Sequence, residues 1–179
     1  MNDKLPIIIN LFGGPGIGKS TIAAGLFYQM KIQGYSVELI TEYAKELVYE
    51  GRYNILEADQ LYIFAKQHRK IYRLISEVDY IITDSPMLMQ PVYLKLMESP
   101  SYNTTLLKNL IVDTYYRYNN INIMLIRREE DTYQEGGRRE TLEESKKIDG
   151  WIKEMVKDYT ELPVDSTTVD EIIKALKEE

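Results

Sequence analysis

A glycine-rich segment between two apolar patterns constrains the fold more than any other feature of this chain. Residues 5–12 form a continuous apolar run, typical of a strand that is buried on both faces. After the glycines, apolar residues recur at steps of three and four: Ile22, Ala23, Leu26, Phe27 and Met30. The order of strand, glycine-rich turn and amphipathic helix predicts an α/β chain with a tight connection at this point.

The turn has the spacing G-x-x-x-x-G-K-[ST] of a phosphate-binding loop. Its residues are Gly13, Gly14, Pro15, Gly16, Ile17, Gly18, Lys19 and Ser20. Glycines accept positive φ and let main-chain N–H groups surround a polyphosphate, to which the following helix adds its own N-terminal N–H groups. Lys19 would supply a charge, Ser20 a hydroxyl for Mg²⁺, and Thr21 a supporting hydroxyl. The alternative is a strand-to-helix turn that binds nothing.

Length, charge and cysteine content exclude several classes of protein. A chain of 179 residues and 20.9 kDa predicts one domain over residues 1–179. The net charge of −6 and the pI near 5.0 argue against indiscriminate nucleic-acid binding. The lack of cysteine excludes disulfides and thiolate chemistry. Neither a membrane span nor a secretion signal is recognisable, so we expect a cytoplasmic protein with no membrane partner; oligomeric state is left open.

Strand-like and helix-like segments alternate along the chain, as in a parallel sheet covered by helices. The pattern predicts strands over residues 5–12, 36–41, 78–84, 121–126 and 162–165. It predicts further helices over residues 42–50, 57–77, 87–98, 102–119, 141–160 and 168–177. The expected fold is therefore a P-loop NTPase with a five-stranded, doubly wound parallel sheet and helices on both faces. Ligands of such sheets bind outside the carboxyl ends of the strands.

Asp84 follows the apolar run of the third predicted strand, which is the Walker B position of a nucleotide-binding sheet. A carboxylate there can hold Mg²⁺ or orient the attacking group. The alternative role is a cap on the next helix. The next residue is Ser85 rather than a second carboxylate that would activate water, which favours transfer to an acceptor over hydrolysis.

Glu42 follows the second predicted strand, within the segment Thr41 to Ala44. A carboxylate at this strand end would lie near the γ-phosphate, where it can take a proton from an acceptor hydroxyl. The alternative is a carboxylate that complements the dipole of its own helix. The spacing alone does not decide between these two roles.

A polar stretch after the fourth predicted strand predicts a small lid over about residues 128–140. Arg127 and Arg128 follow the fourth predicted strand, and Arg138 and Arg139 follow the pair Gly136 and Gly137. Guanidinium groups on such a flap can close over a transferring phosphoryl group and neutralise its growing charge. The alternative is a solvated run of charges.

The helix predicted over residues 57–77 has one basic face: Lys66, Arg69, Lys70 and Arg73. Such a face is usually solvated, and its functional alternative is a contact to an acceptor phosphate or to nucleic acid. His68 lies opposite, within an apolar stripe, and is interpreted as a core residue rather than a catalyst.

Four segments together resemble the P-loop kinases grouped with the ribosylnicotinamide kinase domain of NadR. They are the loop at 13–20, the segments at 41–44 and 83–86, and the segment at 137–144. The resemblance spans about residues 5–160. Within this family the chain is similar to the small stand-alone members from tailed bacteriophages that are labelled AAA-family ATPases.

This resemblance implies a nucleoside or nucleotide kinase with Glu42 as general base, although Tyr43 stands where related kinases often have proline. It also implies that Arg138 and Arg128 serve as lid arginines. Some phage relatives phosphorylate hydroxymethylated uracil in DNA, which makes DNA an alternative acceptor.

The leading hypothesis is a phosphotransferase that uses ATP and Mg²⁺ and acts on a hydroxyl or phosphate of a nucleoside-like acceptor. The loop and Lys19 would hold the triphosphate, Ser20 and Asp84 the metal, and Glu42 or Asp84 would take the acceptor proton. Arg138 would stabilise the transition state. The alternatives are a nucleotide-dependent switch or ATPase without an acceptor, and a structural domain that binds no nucleotide.

Overall fold

The computed structural model describes residues 5–95, 103–127 and 141–178. Within these ranges the strands are β1 (Ile7–Phe12), β2 (Val37–Ile40), β3 (Tyr80–Thr83), β4 (Asn119–Ile126) and β5 (Thr160–Pro163). The helices in the same ranges are α1 (Lys19–Ile32), α2 (Tyr43–Tyr49), α3 (Tyr53–Ala58), α4 (Gln60–Tyr72), α5 (Met89–Leu94), α6 (Thr104–Tyr115), α7 (Leu142–Met155) and α8 (Thr168–Glu178). None of these helices combines the length and the hydrophobicity that a membrane crossing requires.

The described strands form one parallel sheet in the order β2-β3-β1-β4-β5. The central strand β1 is apolar on both faces because helices cover both. Its residues Ile8 and Phe12 pack in a core with α4, α5, α6 and α7. Residues Ile9 and Leu11 point to the opposite face and pack against α1 and α8. The predicted five-stranded, doubly wound sheet is confirmed.

The helix predicted over residues 57–77 is wrong in its bounds, because Asp59 interrupts it. The backbone at Asp59 has φ −128° and ψ 65°, which separates α3 from α4. Its side chain accepts a hydrogen bond from the Tyr62 N–H at 3.0 Å and caps α4. An aspartate that caps a helix competes with continued helix at its own position.

The last strand also differs from the prediction: it is Thr160–Pro163 rather than residues 162–165, and α7 ends at Met155. Asp165 does not extend the strand because its groups build the turn before α8. Its N–H donates to the Thr168 hydroxyl at 2.9 Å, and its carboxylate accepts from the Thr167 N–H at 2.7 Å. This turn chemistry ends β5 two residues early.

A buried asparagine lies in the otherwise apolar strand β1. Asn10 is 2% exposed, and its amide nitrogen lies 2.9 Å from Oδ1 of Asn120 and 3.2 Å from Oδ1 of Asn122. The Tyr115 hydroxyl donates to Asn122 Oδ1 at 2.5 Å, and burial raises the pKa of Tyr115. These side chains form one polar network that joins β1, β4 and α6.

We expect Asn10→Leu to lower the free energy of unfolding by about 1–3 kcal/mol, because it leaves two partly buried amide oxygens, those of Asn120 and Asn122, without this donor. Urea denaturation followed by circular dichroism measures the change. Asn119→Ala, at the exposed first residue of β4, is the control and should change stability by less than about 0.5 kcal/mol. A leucine variant as stable as the original chain would show that the network contributes nothing to stability.

Candidate active site

The loop between β1 and α1 uses its glycines for backbone conformations that other residues rarely adopt. Gly13, Gly16 and Gly18 have φ of 143°, 79° and 103°. A Cβ at Gly13 would lie 2.8 Å from the Ile17 side chain, so the loop also closes tightly on itself. These positive φ angles turn the chain around a concave backbone surface, as a phosphate-binding loop requires.

The first turn of α1 is left open to an anion. Its N-cap is Gly18, in the left-handed conformation, with no side-chain cap and with no acidic residue in the first turn. The Ile22 N–H donates a hydrogen bond to the Gly18 carbonyl at 3.0 Å. The N–H groups of Lys19, Ser20 and Thr21 precede it and have no intrahelical acceptor, which suits them to bind phosphate oxygens.

Lys19 lies against the loop and close to several carboxylates. Its ammonium group donates to the carbonyls of Gly13 at 2.6 Å and Gly14 at 3.0 Å. Burial lowers the pKa of Lys19, while the charges of Glu42, Asp84 and Asp149 act in the opposite direction. Lys19 therefore lies close enough to Glu42 and Asp84, two other residues predicted for this site, for their charges to act on it.

Ser20 and Asp84 meet beside the loop. The Ser20 hydroxyl donates to Oδ2 of Asp84 at 2.7 Å. Asp84 is only 6% exposed, and its Oδ1 is buried without a hydrogen-bond partner among the described residues. Asp84 does not cap α5, whose N-cap is Leu88, so the alternative role as a helix cap is wrong.

These two oxygen-bearing side chains fit a magnesium ion. Within residues 5–95, 103–127 and 141–178, no three His, Asp or Glu side chains gather as a metal cage. Mg²⁺ is usually held by one or two carboxylates together with phosphates and water, rather than by such a cage. The unpartnered Oδ1 of Asp84 and the hydroxyl of Ser20 are therefore suitable ligands.

Glu42 lies at the end of β2, next to β3 in the sheet. It is the N-cap of α2, with φ −64° and ψ 121°, but its side chain makes no capping hydrogen bond. Its charge instead acts on Lys19. The buried side chain of Gln67 joins the segments after β2 and β3, since it accepts from the Tyr43 N–H at 3.0 Å and donates to the Ser85 carbonyl at 3.4 Å. Glu42 and Asp84 are thus carried by connected strand ends.

Aromatic and basic side chains connect α4 with α2, the helix that begins after Glu42. The hydroxyls of Tyr43 and Tyr62 lie 3.1 Å apart, and this hydrogen bond raises the pKa of Tyr43 to about 12. The Lys66 ammonium is 5.3 Å from the centre of the Tyr62 ring. Lys70 bonds the Glu46 carboxylate at 2.5 Å and the Thr41 carbonyl at 3.1 Å. Part of the basic face of α4 is therefore engaged in holding α2.

His68 lies on the other side of α4, as predicted. Its ring stacks on Phe64 with 5.7 Å between centroids, and its Nε2 is 2.9 Å from the Tyr118 hydroxyl. Burial lowers the pKa of His68, which favours the neutral ring. The side chain is partnered but only half-buried, so the interpretation as a core residue holds only in part.

Arg127, Ser145 and Asp149 contact the loop, and the sequence did not single them out for this role. Asp149 accepts from the Gly14 N–H at 2.5 Å and from Arg127 Nε at 2.8 Å. The Pro15 carbonyl accepts from Arg127 Nη2 and from the Ser145 hydroxyl, each at 2.6 Å. Ser145 and Asp149 are four residues apart and so share a face of α7; this spacing was the available signal. We call these three residues the loop clamp.

The predicted lid over residues 128–140, with Arg128 and Arg138, lies outside the described residues. The helix after it begins as predicted: the Thr141 hydroxyl accepts from the Glu144 N–H, and the Glu144 carboxylate accepts from the Thr141 N–H at 2.7 Å. These bonds from the backbone N–H and hydroxyl of Thr141 lower the pKa of Glu144. The capping box is confirmed.

Fold and site together define the class of protein: a P-loop NTPase whose sheet and helices match those of nucleoside and nucleotide kinases. A family model described as AAA domain matches residues 8–171. The chain belongs to this AAA-domain family, which confirms the predicted P-loop, AAA-type family; the phage origin stays a prediction. No curated protein is significantly similar to it in sequence.

Solved kinase structures share the fold at low sequence identity. Deoxyadenosine kinase from M. mycoides, with dCMP and a flexible dCDP bound, is 23% identical over 96% of this chain and 100% of that chain, with a TM-score of 0.57. Thymidylate kinase from Ehrlichia chaffeensis is 18% identical over 97% and 100%, with a TM-score of 0.62. NadR protein in complex with NR is 18% identical over 97% of this chain and 51% of that chain, with a TM-score of 0.63.

Proposed function

We propose that the chain is a kinase that transfers the γ-phosphoryl group of ATP to a nucleoside- or nucleotide-type acceptor. The observation that carries the proposal is the contact between the Ser20 hydroxyl and Asp84, 2.7 Å apart, at the mouth of the glycine-rich loop. The charges of Asp84 and Glu42 both act on Lys19. The residues proposed to hold the donor and the metal, and the proposed base, therefore lie at one edge of the sheet.

The loop and the first turn of α1 would bind the phosphates. The N–H groups at the start of α1 face no intrahelical acceptor, and Lys19 adds a positive charge. Ser20 and Asp84 would hold Mg²⁺, which supplies charge neutralisation for the phosphates when bound. The binding of phosphate oxygens favours the charged form of Lys19 and opposes the effect of its burial.

Glu42 would take the proton of the acceptor. As the acceptor oxygen bonds to the γ-phosphorus, the bond from that phosphorus to the bridging oxygen of ADP breaks, and the hydroxyl proton passes to the Glu42 carboxylate. Support comes from the Glu42 side chain, which does not cap its own helix. The rings of Tyr43 and Tyr62 beside it offer an aromatic surface that suits a nucleobase. Arg138 stays a predicted lid arginine.

A transfer experiment tests this function against an ATPase without an acceptor. Purified protein is incubated with Mg²⁺ and γ-labelled ATP, with separate pools of nucleosides, nucleoside monophosphates and DNA that contains hydroxymethyluracil. We expect label to move into the nucleoside or nucleotide pool, with far slower release of free phosphate. Label in the DNA pool would instead identify a polymer acceptor. Equal phosphate release with and without every pool would contradict a kinase.

A further inference from the structure

We propose that Arg127, Ser145 and Asp149 are positioning residues that set the loop conformation able to bind the ATP phosphates. This inference rests on the proposed function, because it concerns the donor site of the same reaction. The three side chains reach the loop from the end of β4 and from α7, elements that contribute nothing else to the phosphate site described above. They act on the main chain of Gly14 and Pro15 and not on the phosphates.

The hydrogen bonds of the loop clamp form a closed set. Asp149 binds the Gly14 N–H through Oδ1 and Arg127 Nε through Oδ2. Nη2 of Arg127 donates both to the Pro15 carbonyl and to the Ser145 hydroxyl. Since a serine hydroxyl has one hydrogen, and Ser145 gives it to the Pro15 carbonyl, its oxygen is free to accept from Arg127. Nε and Nη2 of Arg127, both carboxylate oxygens of Asp149 and the Ser145 hydroxyl are thus all engaged.

The loop clamp is sheltered from water and leaves no room for a side chain on the loop. Arg127 and Asp149 expose 14% and 22% of their side chains, and Ser145 is fully buried. A Cβ at Gly14 would lie 2.7 Å from Asp149 Oδ1 and 2.7 Å from the Ser145 carbonyl. Charged hydrogen bonds are stronger in such partly dry surroundings than at an open surface.

The hydrogen bonds of the loop clamp affect phosphate binding because they hold the main chain of the loop. The clamp holds the Gly14 N–H and the Pro15 carbonyl, and Lys19 holds the carbonyls of Gly13 and Gly14. These bonds fix the first part of the loop, which leaves the residues from Gly16 onward to face the phosphates. A loop that is already in its binding conformation loses less conformational entropy on binding. The clamp therefore raises affinity without touching the nucleotide.

Calorimetry with Mg²⁺ and the non-hydrolysable analogue AMPPNP tests the clamp. We expect Asp149→Ala and Arg127→Ala each to raise the dissociation constant about tenfold or more. The double variant should lose no more affinity than about the more affected of the two single variants, because the two side chains act as one unit. Glu154→Ala is the matched control: it removes an exposed carboxylate of α7 that pairs with Lys95, and it should bind within about twofold of the original chain.

Urea denaturation of each variant separates positioning from stability. Ser145→Ala removes a single oxygen and serves as the second variant if the charged residues prove necessary for folding; it too should weaken binding. Spectra of [¹⁵N]glycine-labelled protein give an independent readout, because Asp149→Ala should shift the Gly14 amide proton upfield. Folded variants that bind AMPPNP as well as the original chain, or better, would overturn the clamp. An original chain that binds no AMPPNP would overturn the proposed function with it.

Discussion

Replacing Lys19 by alanine should lower the rate of phosphoryl transfer by about 10³-fold while the protein stays folded. The ammonium group is the one positive side chain of the loop motif, and it lies among Glu42, Asp84 and Asp149. Without it, the phosphates of ATP would bind near Glu42 and Asp84 with less positive charge to offset these two carboxylates. Transfer of label from ATP measures the rate, and calorimetry with AMPPNP measures the loss of binding.

Stability should change little in the same variant, because two opposing effects are removed together. The variant loses the bonds from Lys19 to the carbonyls of Gly13 and Gly14, but it no longer buries a charge. We expect the free energy of unfolding to stay within about 1 kcal/mol. Lys31→Ala is the control, since Lys31 lies on the same helix and pairs with Glu38 at the surface. A loss of several kcal/mol would assign Lys19 a structural role instead.

Glu42→Gln should reduce turnover by about 10²–10⁴-fold, because glutamine keeps the shape of the side chain but cannot take a proton. The affinity for the ATP analogue should be unchanged or slightly higher, since a negative charge near the phosphates is removed. Turnover is measured with the acceptor found by label transfer, and affinity by calorimetry. This split between rate and binding is what a general base predicts.

The control for this variant is Glu46→Gln on the same helix. The Glu46 carboxylate pairs with Lys70 at 2.5 Å, and it is not among the charges that act on Lys19. Its turnover should stay within about threefold of the original chain. If Glu42→Gln turned over as fast as the original chain, Asp84 would become the candidate base.

Local patterns predicted the elements whose causes lie within a few residues. The apolar run before the glycines is β1, and the capping box at Thr141 begins α7. The break at Asp59 and the early end of β5 were missed for a related reason. At both places a side chain bonds a nearby backbone N–H, and hydrophobic periodicity does not register such competition.

The candidate site shows the same difference between local patterns, which the sequence reveals, and contacts between distant segments, which it does not. The spacing of the loop, Asp84 and Glu42 at strand ends could be predicted because parallel strands present their carboxyl ends at one edge. The loop clamp could not, because it joins residues more than a hundred positions apart. Arg127 was noted only as a residue before the predicted lid, and its bond to the Pro15 carbonyl forms because β1 and β4 are neighbours in the sheet.

The sequence by itself determined which chemistry is possible, since the loop spacing and the carboxylates at strand ends are properties of short segments. Tertiary structure alone decided which partners hold that loop and which buried groups meet, as at Asn10 and at Asp149. The physical reason is that a hydrogen bond needs its two atoms within about 3 Å, and only the packed arrangement of distant elements sets that distance.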